Sequence, residues 1–87
     1  MSDTTATDCQ TAQAVLLYVV KQLVSDPTAV KIEVDSSGEK TILNVHVGEG
    51  DMGRVIGKRG RVAQSIRTVV RAAAARDGGD VEVEFVD

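Results

Sequence analysis

Four residues, Gly57-Lys58-Arg59-Gly60, stand between two stretches of helical character, and they narrow the possible folds of this 87-residue chain more than any other feature. Before them, Asp51 can cap a short helix that runs to about Ile56. After them, Ala63, Ile66, Val70 and Ala73 recur at helical spacing, which predicts a longer helix over about 61–76. A glycine at each end of so short a connection tolerates positive φ and leaves no Cβ in the way. The turn can then be very tight, and an extended ligand can approach the main chain closely. The second helix points its N-terminus at the loop, where free N–H groups and the positive end of the helix dipole favour an anion.

The remaining segments fit one small domain. Thr7 with Gln10 suggests a capping box, and Ala12, Val15, Leu16, Val19 and Leu23 follow at helical spacing, so a first helix is expected over about 8–24. Ser25-Asp26-Pro27 stops it, because proline lacks an N–H and restricts the residue before it. Val30, Ile32 and Val34 then alternate with charged residues, as in a half-buried strand. A turn at Ser36-Ser37-Gly38-Glu39 leads to a second strand carrying Leu43, Val45 and Val47, and the short connection predicts an antiparallel hairpin. After Asp77-Gly78-Gly79-Asp80, Val81, Val83 and Phe85 alternate with Glu82 and Glu84 in a last strand, the two glutamates lying solvated on one face. The order α-β-β-α-α-β implies a two-layer α+β domain over 8–87, with three strands covered on one face by three helices and residues 1–7 as a flexible tail. With one Tyr, one Phe and no Trp, the core must be aliphatic.

Charge is distributed unevenly. From Arg54 to Arg76 there are seven basic residues (Arg54, Lys58, Arg59, Arg61, Arg67, Arg71, Arg76) and no acid, while the rest of the chain sets three lysines against thirteen acids. The formal net charge of −3 conceals this local field, which favours a polyanion at one place on an acidic protein. Lys58 and Arg59 would charge the loop tip, with Arg54 and Arg61 flanking it. Val55, Ile56, Val62 and Ile66 would supply an apolar floor on which unpaired bases could lie.

Val55-Ile56-Gly57-Lys58-Arg59-Gly60 followed by Ile66 resembles the core pattern of the KH-domain family: an aliphatic pair, Gly-x-x-Gly, then spaced aliphatics. The order of elements is similar to the type II, prokaryotic arrangement, and a single small KH unit resembles the bacterial KhpA family over about residues 9–87. The resemblance implies binding of single-stranded RNA, about four nucleotides per domain, with the loop clamping the backbone. It also implies a role as RNA chaperone or post-transcriptional regulator, and pairing as a homodimer or with a larger KhpB (Jag-type) protein. Ala63 stands where the family pattern often has a larger aliphatic residue, and no aromatic residue is near the loop in sequence. Both features favour backbone clamping over base stacking.

Other patterns carry less. Gly48-Glu49-Gly50-Asp51-Met52-Gly53 has dinucleotide-fingerprint spacing, but Glu49 and Asp51 would repel a pyrophosphate, and a hairpin strand precedes it. Gly53 to Lys58 is one residue short of a Walker A loop, and Arg59 replaces its magnesium-binding hydroxyl residue. A DNA-reading helix-turn-helix fits in outline, but flanking strands and the paired glycines speak against it. His46 is the one histidine, with no partner or pocket evident, and Cys9 is the one cysteine, with no metal-ligand neighbour. No nucleophile, metal cluster or acid–base pair stands out, so neither catalysis nor a cofactor or small-molecule substrate is expected. No secretion signal or membrane-spanning run is visible, so a cytoplasmic location is expected. A second reading is a protein-interaction subunit that works mainly through dimerisation.

Overall fold

The computed structural model describes residues 10–36, 38 and 40–86. Helix α1 spans Gln10–Leu23, strand β1 Lys31–Asp35, strand β2 Thr41–His46, helix α2 Met52–Ile56, helix α3 Arg61–Arg76 and strand β3 Val81–Phe85. Single 3-10 turns occupy Pro27–Ala29 and Lys58–Gly60. The sheet order is β1-β2-β3. The expected hairpin is present: β1 and β2 pair antiparallel, with Ile32 opposite Val45 and Val34 opposite Leu43. Strands β2 and β3 pair in parallel, with Leu43 opposite Val83 and Val45 opposite Phe85. A parallel pair needs a crossover, and here the α2–loop–α3 unit is that crossover. The loop is thereby tied at both ends to adjacent strands.

The core is aliphatic, as composition requires. Leu16, Val20, Leu43, Val45, Val55, Val70, Val81 and Val83 are wholly buried. In α1, Ala12, Leu16 and Val20 form the fully buried stripe, while Val15, Val19 and Leu23 are half-buried beside it. In α3 the buried residues are Ala63, Ile66, Val70 and Ala74, with Ala73 at the margin. The bounds of α3 match those expected, because glycines end it on both sides. At its C-terminus Gly78 takes φ of 78°, and the N–H groups of Gly78 and Gly79 donate to the carbonyls of Ala75 and Ala74 at 3.0 and 2.9 Å. This is a Schellman arrangement, which satisfies carbonyls that would otherwise lack donors.

Several expectations are corrected. Helix α1 ends at Leu23 rather than residue 24, and its expected start at residue 8 lies outside the described residues, as does Thr7 of the expected capping box. Val30 and Val47 flank their strands rather than belonging to them. Only Ile32 of β1 is half-buried; Val34 faces the same side as Leu43 yet is 39% exposed on this edge strand. Asp51 occupies the N-cap position of α2 but makes no capping hydrogen bond. Its carboxylate instead accepts from the Ser25 N–H (3.1 Å), the Ser25 hydroxyl (2.9 Å) and the Asp26 N–H (3.2 Å). It is 2% exposed, and those donors, the Ser25 N–H foremost, hold its pKa below the ordinary 3.8. The carboxylate thus fastens the entrance of α2 to the segment leaving α1.

Candidate nucleic-acid interface

The loop is shaped by backbone conformations that few residues adopt. The Gly57 N–H closes α2 on the Gly53 carbonyl at 2.9 Å, and Gly57 then turns to φ 75°, ψ 178°. Such a conformation is almost confined to glycine. A Cβ placed on Gly57 would lie 2.3 Å from Val62 Cγ2 and 2.6 Å from Val62 Cβ, so space as well as conformation excludes a side chain there. Gly60 is left-handed at φ 74°, ψ 13°, with nothing within 4 Å of an added Cβ, so conformation alone favours glycine there. The structure adds a feature not expected from sequence: Arg59 is also left-handed, at φ 57°, ψ 25°. A non-glycine residue pays about 1–2 kcal/mol for this, and the result turns the loop tip outward between the two helices.

Gly60, at the N-cap of α3, has no side chain to cap the helix, and the Arg61 N–H donates to the Lys58 carbonyl. Lys58 and Arg59 are exposed at the tip, Arg61 is exposed on the first turn, and among the described residues these three form no ion pair. Three of the four other expected cations are engaged, while Arg76 is exposed at the far end of α3. Arg54 Nε lies 3.2 Å from Asp51 Oδ1, although its side chain remains 61% exposed. Arg67 Nε donates to the Val83 carbonyl at 3.1 Å, and Arg71 pairs with Glu82 at 3.0 Å. The basic segment is therefore not one uniform patch. It is a free cationic tip followed by arginines turned toward β3.

The apolar floor is narrower than the sequence suggests. Val55 and Ile66 are 0% and 3% exposed, so they belong to the core, and Ile56 and Val62 are half-buried behind the loop. Ala63, at 2% exposure, is likewise core. Glu82 is not simply solvated: Lys40 donates to one oxygen and Arg71 to the other, both at 3.0 Å. These hydrogen bonds, Lys40 first, hold its carboxyl below the ordinary 4.5. His46 has a partner after all, Glu33 at 3.0 Å, and the pair lies at the surface. Sequence reasoning also missed the contact of Arg67 with Phe85, whose ring centroid lies 5.4 Å from the guanidinium carbon. The two residues are far apart in sequence, and only the packing of α3 on β3 brings them together. Among the described residues, no group of three or more His, Cys, Asp or Glu side chains could hold a metal ion, and no helix is long and apolar enough to cross a membrane.

Residues 13–85 match the family model for the KhpA/KhpB KH domain. The chain is 40% identical over 70 residues to a protein of Borreliella burgdorferi named RNA-binding protein KhpA, covering 80% of this chain and 85% of that one. It is 44% identical over 72 residues to a protein of the same name from Leifsonia xyli, covering 83% and 92%. Among solved structures, Era in complex with MgGDPNP and nucleotides 1506–1542 of 16S ribosomal RNA superposes with a TM-score of 0.60 at 19% identity, over 85% of this chain and 28% of the Era chain. At that identity the likeness is one of fold, confined to a portion of Era. The α-β-β-α-α-β order with a mixed three-stranded sheet, the Gly-x-x-Gly loop in its crossover and the match over 13–85 lead to one assignment: the chain belongs to the KhpA/KhpB family of KH-domain proteins.

Proposed function

We propose that this protein binds single-stranded RNA by clamping the sugar-phosphate backbone at Gly57-Lys58-Arg59-Gly60. The observation that carries the reading is the loop itself. Two positive-φ glycines expose main chain beside an uncapped helix N-terminus, and Lys58, Arg59 and Arg61 stand there without ion-pair partners among the described residues. Cations without ion-pair partners beside the positive end of a helix dipole suit phosphate oxygens. Arg54 can reach the same anion while Asp51 holds its Nε. Ile56 and Val62 offer a limited apolar surface behind the clamp, supported from within by Val55 and Ile66. The names of the KhpA relatives and the ribosomal RNA held in the Era complex support the same ligand class. Gly57, Gly60 and the cations act on backbone that is common to all sequences, so binding is tolerant of sequence at the clamp.

One clamp of about four nucleotides gives modest affinity. A homodimer, or a heterodimer with a KhpB/Jag-type protein, would raise it by linking two clamps. That fits a cytoplasmic RNA chaperone or post-transcriptional regulator. A second reading, a subunit acting mainly through protein contacts, has one observation in its favour: Tyr18 on α1 and Val69 on α3 are large apolar side chains left 67% and 49% exposed. Sedimentation with and without RNA separates the two. A tight dimer that binds no RNA at low salt favours the second.

The test of the clamp is the double substitution Lys58→Asp, Arg59→Asp. Aspartate is among the residues that tolerate left-handed backbone, so the reversal of charge adds little strain at position 59. RNA binding should be lost with an unchanged circular dichroism spectrum. Unaltered affinity in that variant overturns the assignment of the loop.

A further inference from the structure

Beyond the clamp, α3 carries a second polar surface directed at the outer edge of β3. The helix and the strand run antiparallel, since Arg67 meets Val83 and Phe85 while Arg71, one turn later, meets Glu82. Strand β3 is the edge of the sheet, and the Val83 carbonyl lies on its unpaired side, where it accepts from Arg67 Nε. Arg67 Nη1 donates to Gln64 Oε1 at 3.2 Å, and the guanidinium lies over the Phe85 ring. The side chain is thus held from the strand, from its own helix and from below. It nevertheless stays half-buried rather than buried. Among the described residues, its remaining Nη hydrogens meet no acceptor. Arg61, Gln64 and Arg67 follow at helical i, i+3 spacing on one face. Arg67 is seven residues from Gly60, about 10 Å along the helix axis, well within a footprint of about four nucleotides. Farther along, the charge of Arg71 is matched by Glu82.

We infer that Arg67, preorganised by Val83, Gln64 and Phe85, is a specificity-determining residue that selects a base presenting two adjacent hydrogen-bond acceptors. The inference rests on the proposed RNA clamp and adds a base preference to it. A guanidinium only donates, and its planar fork matches two neighbouring acceptors. Guanine offers O6 and N7 in that arrangement, and cytosine offers O2 and N3. Adenine and uracil set a donor beside each acceptor on the corresponding edges, which leaves one guanidinium hydrogen facing another hydrogen. In a single strand these edges are free to be read. Phe85 supports the guanidinium from one face, and the free donor edge of Arg67 meets the base.

The test compares short oligouridylates carrying one central guanosine, cytidine or adenosine with the unsubstituted oligomer, by fluorescence anisotropy at low salt. The wild-type protein should bind the guanosine and cytidine probes about tenfold more tightly than the other two. Arg67→Lys keeps the charge and loses the fork, so discrimination should fall to within about twofold. Phe85→Leu removes the platform and leaves the guanidinium, and it should weaken discrimination in the same direction. Equal binding of all probes by the wild type overturns the inference and leaves the RNA clamp standing. Full discrimination by Arg67→Lys overturns it as well. If no probe binds, the clamp itself fails and the base preference falls with it. The wild-type ranking decides between the first two cases without any variant, so a substitution that unfolds the protein does not suspend the test.

Discussion

Substituting alanine at Gly57 should damage this protein far more than substituting alanine at Gly60, although both glycines belong to one motif. At Gly57 two costs combine. The backbone at φ 75°, ψ 178° is nearly closed to other residues, which costs about 1–3 kcal/mol. The new methyl would also meet Val62 Cγ2 at 2.3 Å and Val62 Cβ at 2.6 Å, and forcing an extra carbon into packed surroundings costs about 1–3 kcal/mol more. At Gly60, φ of 74° carries a left-handed penalty of about 1–2 kcal/mol, and the added methyl meets nothing within 4 Å. A domain of this size loses about 4–8 °C of Tm per kcal/mol. Thermal unfolding followed by circular dichroism should therefore place Gly57→Ala roughly 10 °C or more below Gly60→Ala. The steric part can be isolated. Val62→Ala in the Gly57→Ala background removes the Cγ2 contact and keeps the Cβ contact, so it should recover part of the loss, with a coupling of about 0.5–2 kcal/mol in the double-mutant cycle. If Gly57→Ala costs no more than Gly60→Ala, or if the two substitutions are simply additive, the account of the close approach at Gly57 is wrong.

Other outcomes follow from the same structure. Binding should weaken as salt rises, and Lys58→Ala should reduce the magnitude of the slope of log K against log salt by about 0.7, the value of one phosphate contact on a single strand; an unchanged slope removes Lys58 from the clamp. Asp51 and Glu82 both have carboxyl pKa values lowered in the folded state, from ordinary values of 3.8 and 4.5. A lowered folded pKa means the unfolded chain binds protons first, so the stability from these groups is full above their ordinary values and is lost as pH falls through the folded ones. Acid titration by circular dichroism should show a stability loss beginning below about pH 4.5, and Asp51→Asn should flatten that dependence while lowering stability at neutral pH. An Asp51→Asn protein as acid-sensitive as the wild type contradicts the role given to its carboxylate.

What the sequence discloses and what it hides divide along physical lines. Helix α3 is legible to the residue because glycines mark both ends and its apolar spacing is regular. The loop is legible because two glycines so close together, between helices, have few other uses. The exposure of Val34 is not legible: its alternation is that of a buried strand, and only the order of strands reveals that β1 stands at the edge. The same holds for the apolar floor. Local pattern marks Val55 and Ile66 as apolar, but their inward direction is set by packing on the sheet. Asp51 is in the position of a helix cap, and a capping role is the simplest local reading; besides Arg54, its carboxylate is held by Ser25 and Asp26, from a segment 25–26 residues away. The fate of the arginines is likewise non-local. Charge counting gives seven equivalent cations, whereas the fold turns Arg67 and Arg71 onto β3 and leaves Lys58, Arg59 and Arg61 at the tip.

In the proposed complex RNA lies across the loop between α2 and α3 rather than on the open face of the sheet. The most direct measurement is a titration of isotopically labelled protein with a short single-stranded oligoribonucleotide, followed through backbone amide resonances. Shifts should concentrate at Gly57 to Val62 and extend along α3 to Arg67, while those of Lys31, Glu33, Asn44 and His46 on the opposite side of the sheet stay in place. Shifts centred on the open face, with Gly57 to Gly60 undisturbed, would contradict the claim.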